Sequence, residues 1–333
     1  MKLFSWLALI IVFTLIVLVC LSVGTVKTKF LEVILAIFDR NSRYRNIVWN
    51  LRLPRVLMAL VAGASLATVG ASFQGLLRNP LVDPYLLGVS SGASFGAVLS
   101  IYLATVSSFQ YLYRLPLLSF AFAMFASLSA MFLARRNGTI PIVELVLSGV
   151  MVSVLFSSAT ITLLMLFRRN ITHAYVWLFG SLSGVGWEDL ISPSVSFAIF
   201  FFVAMGLSNQ LNAMAIGEIE AKMSGVNTEL VKVIVYVLGS FATASVVSNT
   251  GVIGFVGLIT PHMARRVFGN DHRVLFVSSA IIGSIFLCVC DAIARTIVSP
   301  TEMPIGVITA FVGVPVMLVL LKKGEQNDRN ITE

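Results

Sequence analysis

Long uninterrupted apolar stretches recur along this chain and constrain its fold more than any other feature. The runs show no alternation of apolar and polar positions, and a helix needs about 20 such residues to cross a bilayer. Only 11% of the 333 residues are charged, whereas a soluble domain carries about 25%. In lipid every backbone polar group must be paired within the protein, which leaves helix bundles or closed barrels. The sequence therefore predicts an all-α integral membrane protein.

Ten transmembrane helices are predicted in a single domain that covers residues 1–333. Their predicted ranges are 3–23, 54–77, 87–105, 115–134, 142–167, 190–208, 229–249, 253–268, 274–298 and 305–321. The apolar core of the first run is longer than that of a cleavable signal peptide, so it is interpreted as a span. An even number of spans places both termini on one side. The short loops that carry Arg78, Arg135, Arg265 and Lys322 predict that this side is cytoplasmic.

Small residues form a stripe along the second predicted helix. Gly63, Ala67 and Ala71 recur at four-residue spacing. Such a stripe lets a neighbouring helix approach closely, which is common in any protein with several spans. The pattern therefore predicts tight helix packing rather than direct contact with a substrate.

Basic residues are concentrated in the long segment 24–55, which the predicted topology places outside. They are Lys27, Lys29, Arg40, Arg43, Arg45, Arg52 and Arg55. A further pair, Asp291 and Arg295, lies four residues apart on one helix face. The pair fits an ion pair that makes two membrane charges tolerable. It also fits an Arg295 that faces the same mouth as Arg52 and Arg55, and the spacing leaves both interpretations open.

The segment 209–228 is the longest loop on the predicted cytoplasmic side. Its apolar positions alternate with Glu218, Glu220 and Lys222, and glycines interrupt it at 217 and 225. A short amphipathic helix of this kind is suited to docking a partner protein. An interfacial helix that lies on lipid is the alternative.

Several function classes are disfavoured by missing motifs. The sequence has no GxxxxGK[ST] phosphate loop, no metal-ligand spacing and no plausible pair of nucleophile and base, so neither an enzyme nor a metal site is expected. The net charge of +8 is scattered between spans, which argues against nucleic acid as a partner. Intramembrane acids are sparse, although ion-coupled transporters usually need them. We therefore expect an external energy source, and keep an ion-coupled secondary transporter and a membrane enzyme as alternatives.

Four ordered blocks of the sequence carry a family resemblance. They are RLPR followed by GASLATVGASFQGLLRNPLVDPYLLGVSSGA, then GEIEAKMSGV, then GFVGLITPHMARRVFGNDHR, and finally DAIAR followed by PTEMPIGVITAFVGVPVMLVLL. Together they resemble the transmembrane permease of the FecCD/BtuC-type (type II) ABC importers. Members of that family take up iron–siderophores, haem, vitamin B12 and, in some cases, molybdate or tungstate.

The resemblance implies a non-catalytic transport subunit with several partners. It implies a homodimer around a central pore and two ATP-binding cassette subunits on the cytoplasmic side. ATP and Mg would be bound by those subunits, and no cofactor by this chain. A periplasmic or extracellular substrate-binding protein would dock on the other side. The expected location is the cytoplasmic (inner) membrane of a prokaryote, and the expected mechanism is alternating access.

The resemblance also assigns roles to individual residues. Arginines at the positions of Arg52, Arg55 and Arg295 form pockets for acidic residues of the binding protein. The loop that couples the permease to the ATPase corresponds to residues 209–228. Its matching residues are Gly217, Glu218, Ala221, Met223, Gly225 and Val226. The inner gate corresponds to Pro141, Ile142 and Val143, where family members often have small hydroxylated residues.

Overall fold

The computed structural model describes residues 2–24, 30–39, 42–106, 115–166, 171–299 and 301–332. The basic residues Lys27, Lys29 and Arg40, and the predicted helix end at 167, lie outside these ranges. The helices are α1 (Lys2–Ser22), α2 (Phe30–Phe38), α3 (Arg45–Ile47), α4 (Leu53–Leu76), α5 (Val89–Val106), α6 (Leu115–Ala134), α7 (Ile142–Leu166), α8 (Ile171–Leu178), α9 (Ile191–Gly206), α10 (Ser208–Ile216), α11 (Glu218–Met223), α12 (Thr228–Thr250), α13 (Val256–Phe268), α14 (His272–Ala294) and α15 (Ile305–Thr332).

The described chain is helical throughout, and its single β-bridge joins Arg136 and Thr139. Among the residues that the structure describes, seven helical stretches are long and apolar enough to cross a membrane. They are Phe4–Ser22, Arg45–Leu76, Leu115–Ala134, Ile142–Leu166, Glu188–Gly206, Thr228–Thr250 and His272–Ala294. Two shorter apolar helices, Val89–Thr105 and Ile305–Leu320, accompany them. An all-helical membrane protein is thus confirmed, but the count of ten spans is not, because α13 has only 13 residues and carries Arg265 and Arg266 in its last turn.

Two helices extend well beyond their predicted ranges. The helix predicted at 54–77 continues backwards without a break through a π-helical turn, Val48–Arg52, to α3. The last helix, predicted at 305–321, continues to Thr332. Both extensions contain charged and polar residues, so a prediction based on uninterrupted apolar runs ends before them. The predicted loop 209–228 contains α10 and α11, which join at Gly217.

Helix α4 lies at the centre of the bundle and packs against α14, α13, α12 and α9. In the apolar 18-residue window of the span that contains α4, 83% of the residues are buried within the chain, whereas in the window of α1 only 11% are buried. Helix α1 therefore presents most of its surface to lipid, and α4 is surrounded by protein. The described residues of α4 are mostly small, which allows helices to approach it on several sides.

The predicted stripe of small residues forms the contact between α4 and α14. A Cβ atom added to Gly63 would overlap the carbonyl oxygen of Gly283, and one added to Gly283 would overlap the carbonyl of Gly63 and the side chain of Ala67. The Ser284 hydroxyl donates to the Leu60 carbonyl at 2.7 Å. The predicted close helix approach is therefore confirmed.

We expect Gly63→Ala to destabilise the protein in detergent by about 1–3 kcal/mol, because a methyl group forced into a packed contact displaces the backbone. Gly206→Ala is the matched control, since its added Cβ would have no atom within 4 Å, and it should be neutral or stabilise by up to about 1 kcal/mol. Thermal unfolding of both variants measures the difference. Equal melting temperatures would contradict the close contact.

Candidate functional site

The three predicted arginines meet at one end of the bundle around a buried carboxylate. The Arg55 Nε atom donates to Asp291 Oδ1 at 2.9 Å, and Arg295 Nε lies 3.1 Å from Asp291 Oδ2. Arg55 Nη1 also donates to Glu302 at 2.9 Å. Asp291 is fully buried, and the Arg55 side chain is 12% exposed. The ion pair that the Asp291–Arg295 spacing allowed is therefore present, and Arg55 shares the same carboxylate.

Arg52 and Arg295 both donate hydrogen bonds to carbonyls at the end of α1. Arg52 Nη1 donates to the carbonyls of Leu21 and Ser22 at 3.1 and 3.2 Å. Arg295 donates to the carbonyls of Val23 and Cys20 at 3.0 and 3.2 Å. The last carbonyls of a helix have no partner within the helix, and positive charge is favourable there. Both arginines therefore cap α1, and each is at most 5% exposed.

At the opposite end of the bundle, the predicted coupling loop folds into α10 and α11. Glu218 begins α11 and forms ion pairs with Lys222 at 2.9 Å and Lys232 at 2.8 Å. Partial burial raises the pKa of Glu218, but hydrogen bonds from Lys232 and Lys222 outweigh burial and hold the pKa below its ordinary value. Glu218 is therefore ionised at neutral pH and fixes the start of α11.

The end of α11 is closed by a Schellman motif. Gly225 adopts φ +82°, a conformation that favours glycine. Its N–H donates to the Lys222 carbonyl, and the N–H of Val226 donates to that of Ala221, both at 3.0 Å. The Ala221 side chain of α11 is fully buried. The predicted residues Ala221, Gly225 and Val226 therefore hold the shape of this segment.

Apolar side chains on α10 and α11 project away from the bundle. Ile216, Ile219 and Met223 are 80%, 70% and 84% exposed. We call these three residues the exposed ridge. Helix α10 behind it is anchored to the start of α14, where the Asn212 amide donates to Asp271 and accepts from the His272 N–H, both at 2.9 Å. The ridge is thus an apolar surface on a rigid support.

The predicted gate residues lie near this loop, at the start of α7. Pro141 and Ile142 are partly exposed, and Val143 is 67% exposed. Within the described chain no side chain closes over Val143. Ile140, the residue before Pro141, donates its backbone N–H to Glu229 Oε2 at 2.8 Å. The sequence did not predict this contact.

A cleft of about 830 Å³ lies between α5, α7 and the segment before α13. Hydroxyl groups line much of it. They belong to Ser90, Ser91, Ser94, Ser153, Ser157, Ser158 and Thr160. Among the described lining residues the one charged side chain is Asp83, which accepts from the Tyr85 N–H at 2.9 Å and so caps a short helix. The cleft is thus mostly apolar, with scattered hydroxyl groups and one acidic side chain, and it was not predicted because its serines come from separate helices.

One wall of the cleft contains a strained residue. Phe255 precedes α13 with φ +70°, a region that a bulky side chain rarely occupies. A Cβ added to Gly313 of α15 would approach the Phe255 ring. Strained backbone persists only where surrounding structure enforces it, and it is frequent at functional sites.

Comparison with known proteins identifies the family. The model of the FecCD transport family matches residues 9–323. An uncharacterised ABC transporter permease protein, YvrB of Bacillus subtilis, is 39% identical over 86% of this chain and 82% of its own length. The cobalamin import system permease protein BtuC of Halobacterium salinarum is 40% identical over 84% of this chain and 74% of its own. YfiZ of Bacillus subtilis, described as a probable siderophore transport system permease protein, is 35% identical over 96% and 97%.

Solved structures agree with this assignment. An ABC transporter assigned to the metal-chelate type, captured in an inward-facing conformation, superposes with a TM-score of 0.83 at 30% identity. The match covers 95% of this chain and 98% of that one. The resemblance carried by the four sequence blocks is confirmed, and this chain belongs to the FecCD transport family of ABC transporter permeases.

Proposed function

We propose that this chain is the permease subunit of a binding-protein-dependent ABC importer. The substrate is a metal chelate, such as an iron–siderophore, haem or cobalamin, or a molybdate-type oxyanion. Two copies of the chain move it inward by alternating access, and ATPase partners supply the energy. The names of similar permeases support this substrate range, because they refer to cobalamin and siderophores.

The exposed ridge is the observation that carries the proposal. Three apolar side chains at least 70% exposed are unfavourable in water, and contiguous apolar exposure marks an interaction surface. Glu218, Asn212 and the Schellman motif at Gly225 hold the ridge rigidly. A rigid apolar ridge on a short helix fits a groove on a partner protein, which here is the ATPase.

The cleft between α5 and α7 is one wall of the transport pathway in this proposal, and the second copy supplies the other. Its hydroxyl and apolar lining favours weak contacts, which suit a pathway that must release what it admits. Pro141, Ile142 and Val143 form the inner gate, with the exposed Val143 meeting its counterpart in the second copy. The ends of the helices near Arg78, Arg135 and Arg265 face the cytoplasm of a prokaryotic inner membrane, as do both termini.

The arginine cluster at Arg52, Arg55 and Arg295 forms the docking site for the binding protein. Arg52 and Arg295 are committed to α1, so they support the site rather than present free donors. Arg55 is paired with Glu302, whose side chain is 29% exposed. An acidic side chain of the binding protein replaces Glu302 on Arg55 when the two proteins meet.

Reconstitution in lipid vesicles tests the function. Vesicles that contain this chain and its ATPase should accumulate one substrate class only when ATP and the loaded binding protein are both present. The binding protein is supplied with an iron–siderophore, haem, cobalamin or molybdate in turn. Accumulation by this chain alone under a proton or sodium gradient would contradict the proposal and favour an ion-coupled secondary transporter.

Charge on the exposed ridge should prevent assembly with the ATPase. We expect Ile219→Asp or Met223→Asp to weaken the complex by at least about tenfold, because an apolar anchor contributes over about 1 kcal/mol and its replacement buries a charge. Asn137→Asp is the control, since it adds the same charge at an exposed position on the same end of the bundle. Co-purification of the ATPase at wild-type yield with both ridge variants would place the interface elsewhere.

Substitutions of Arg55 and of Glu302, which form an ion pair, should change the association rate of the binding protein in opposite directions. Arg55→Gln should slow association of the binding protein by about three- to tenfold at low salt, because steering by opposite charge is lost. Glu302→Gln should speed it, because Arg55 loses its competing carboxylate. Stopped-flow association at several salt concentrations gives both rates, and Arg136→Gln at the opposite end serves as the control. Identical rates for all variants would remove the docking role of the cluster.

A further inference from the structure

Lys232 is a lysine buried near the start of an otherwise apolar membrane helix, α12, where only 2% of its surface is exposed. Removing an ammonium group from water is unfavourable unless nearby acceptors replace the lost hydration. Lysines at helix ends usually extend to the membrane surface instead. The position of this side chain therefore needs an explanation beyond anchoring.

Three acceptors surround the Lys232 ammonium, one for each of its donors. They are the Ile140 carbonyl at 2.9 Å, Glu218 Oε1 at 2.8 Å and Glu229 Oε1 at 2.9 Å. The second oxygen of Glu229 accepts the Ile140 N–H at 2.8 Å. Both backbone polar groups of Ile140 are thus held by charged side chains of α12, and such charge-assisted bonds are stronger than neutral ones.

The acceptors lie on elements that pack mainly against different helices. Glu218 is the first residue of α11, which packs with α10 and α12. Ile140 lies two residues before α7, which packs with α5 and α6 and lines the cleft through Ser153 and Ser157. Helix α12 also packs against α5 and α6, and its Lys232 ammonium contacts both Glu218 and Ile140. A shift of Glu218 without Ile140 would leave a buried charge short of an acceptor, so the two are constrained to move together.

We propose that Lys232 is a positioning residue that transmits displacement of α11 to the entry of α7. This inference rests on the proposed function, since it assumes that an ATPase moves α11. Lys232 reaches neither the exposed ridge nor the cleft, so it acts through Glu218 and Ile140. Loss of the ammonium leaves ATP hydrolysis running while less of its motion reaches the pathway.

The test measures substrate transported per ATP hydrolysed in vesicles that contain the complete importer. Lys232→Met keeps the length of the side chain and removes its charge, and should lower this ratio by about tenfold, within the usual range of coupling between sites. Lys232→Arg retains the charge and should recover part of the ratio. Arg266→Met is the control, because Arg266 is an exposed basic residue at the same end of the bundle but lies on α13, outside the segment 209–228, and its ratio should equal that of the wild type.

Glu218→Gln provides a second route if Lys232→Met does not assemble. It weakens one contact and leaves the ammonium paired with Ile140 and Glu229, so folding is preserved while the ratio should still fall. A wild-type ratio in Glu218→Gln, or in an assembled Lys232→Met, would overturn this inference and leave the proposed function intact. If the wild-type importer shows no ATP-driven uptake, the proposed function fails and the inference fails with it.

Discussion

The close contact between α4 and α14 is the constraint on which the rest of the structure depends. At Gly63 and Gly283 the two backbones touch, and no side chain lies between them to absorb a change in register. That register places Arg55 of α4 on Asp291 of α14 at one end of the bundle. At the other end it places Gly75 of α4 against the His272 ring of α14. One contact between small residues therefore positions the charged groups at one end and the anchor of α10 at the other.

Buried charges in this protein lie at helix ends, where they satisfy backbone groups as well as each other. Arg52 and Arg295 cap the last carbonyls of α1, and Asp291 is the buried acid that pairs with Arg295. Lys232 and Glu229 do the same for Ile140 before α7. An unpaired charge is unfavourable in a membrane and a helix end has unpaired backbone groups, so one contact resolves both problems. The Lys232 contact also joins α12 to the start of α7, two helices that share little packing, which makes it suited to transmitting motion.

Sequence patterns were sufficient for the apolar helices and for the family. The predicted range 115–134 coincides with α6, and the start predicted at 142 coincides with that of α7, because continuous apolar runs are a strong signal. The π-helical turn Val48–Arg52 before α4 was missed, since Asn50 and Arg52 interrupt its apolar run. The count of ten spans is not confirmed, because α13 is short and carries two arginines in its last turn. The burial of Arg52 and Lys232 was also missed, since only tertiary contacts determine whether a basic residue at a helix end meets water or backbone carbonyls.

The central claim is that force applied to α11 reaches α7 through a rigid link, while the two copies of α7 change their separation. Spin labels at Ser224 and Val143, both exposed, allow these distances to be measured by double electron–electron resonance with and without ATP bound. The account predicts that the distance from Ser224 to Val143 within one copy stays constant to within about 1 Å, while the distance between the Val143 positions of the two copies changes by several ångströms. A change in the first distance at a constant second distance would contradict it.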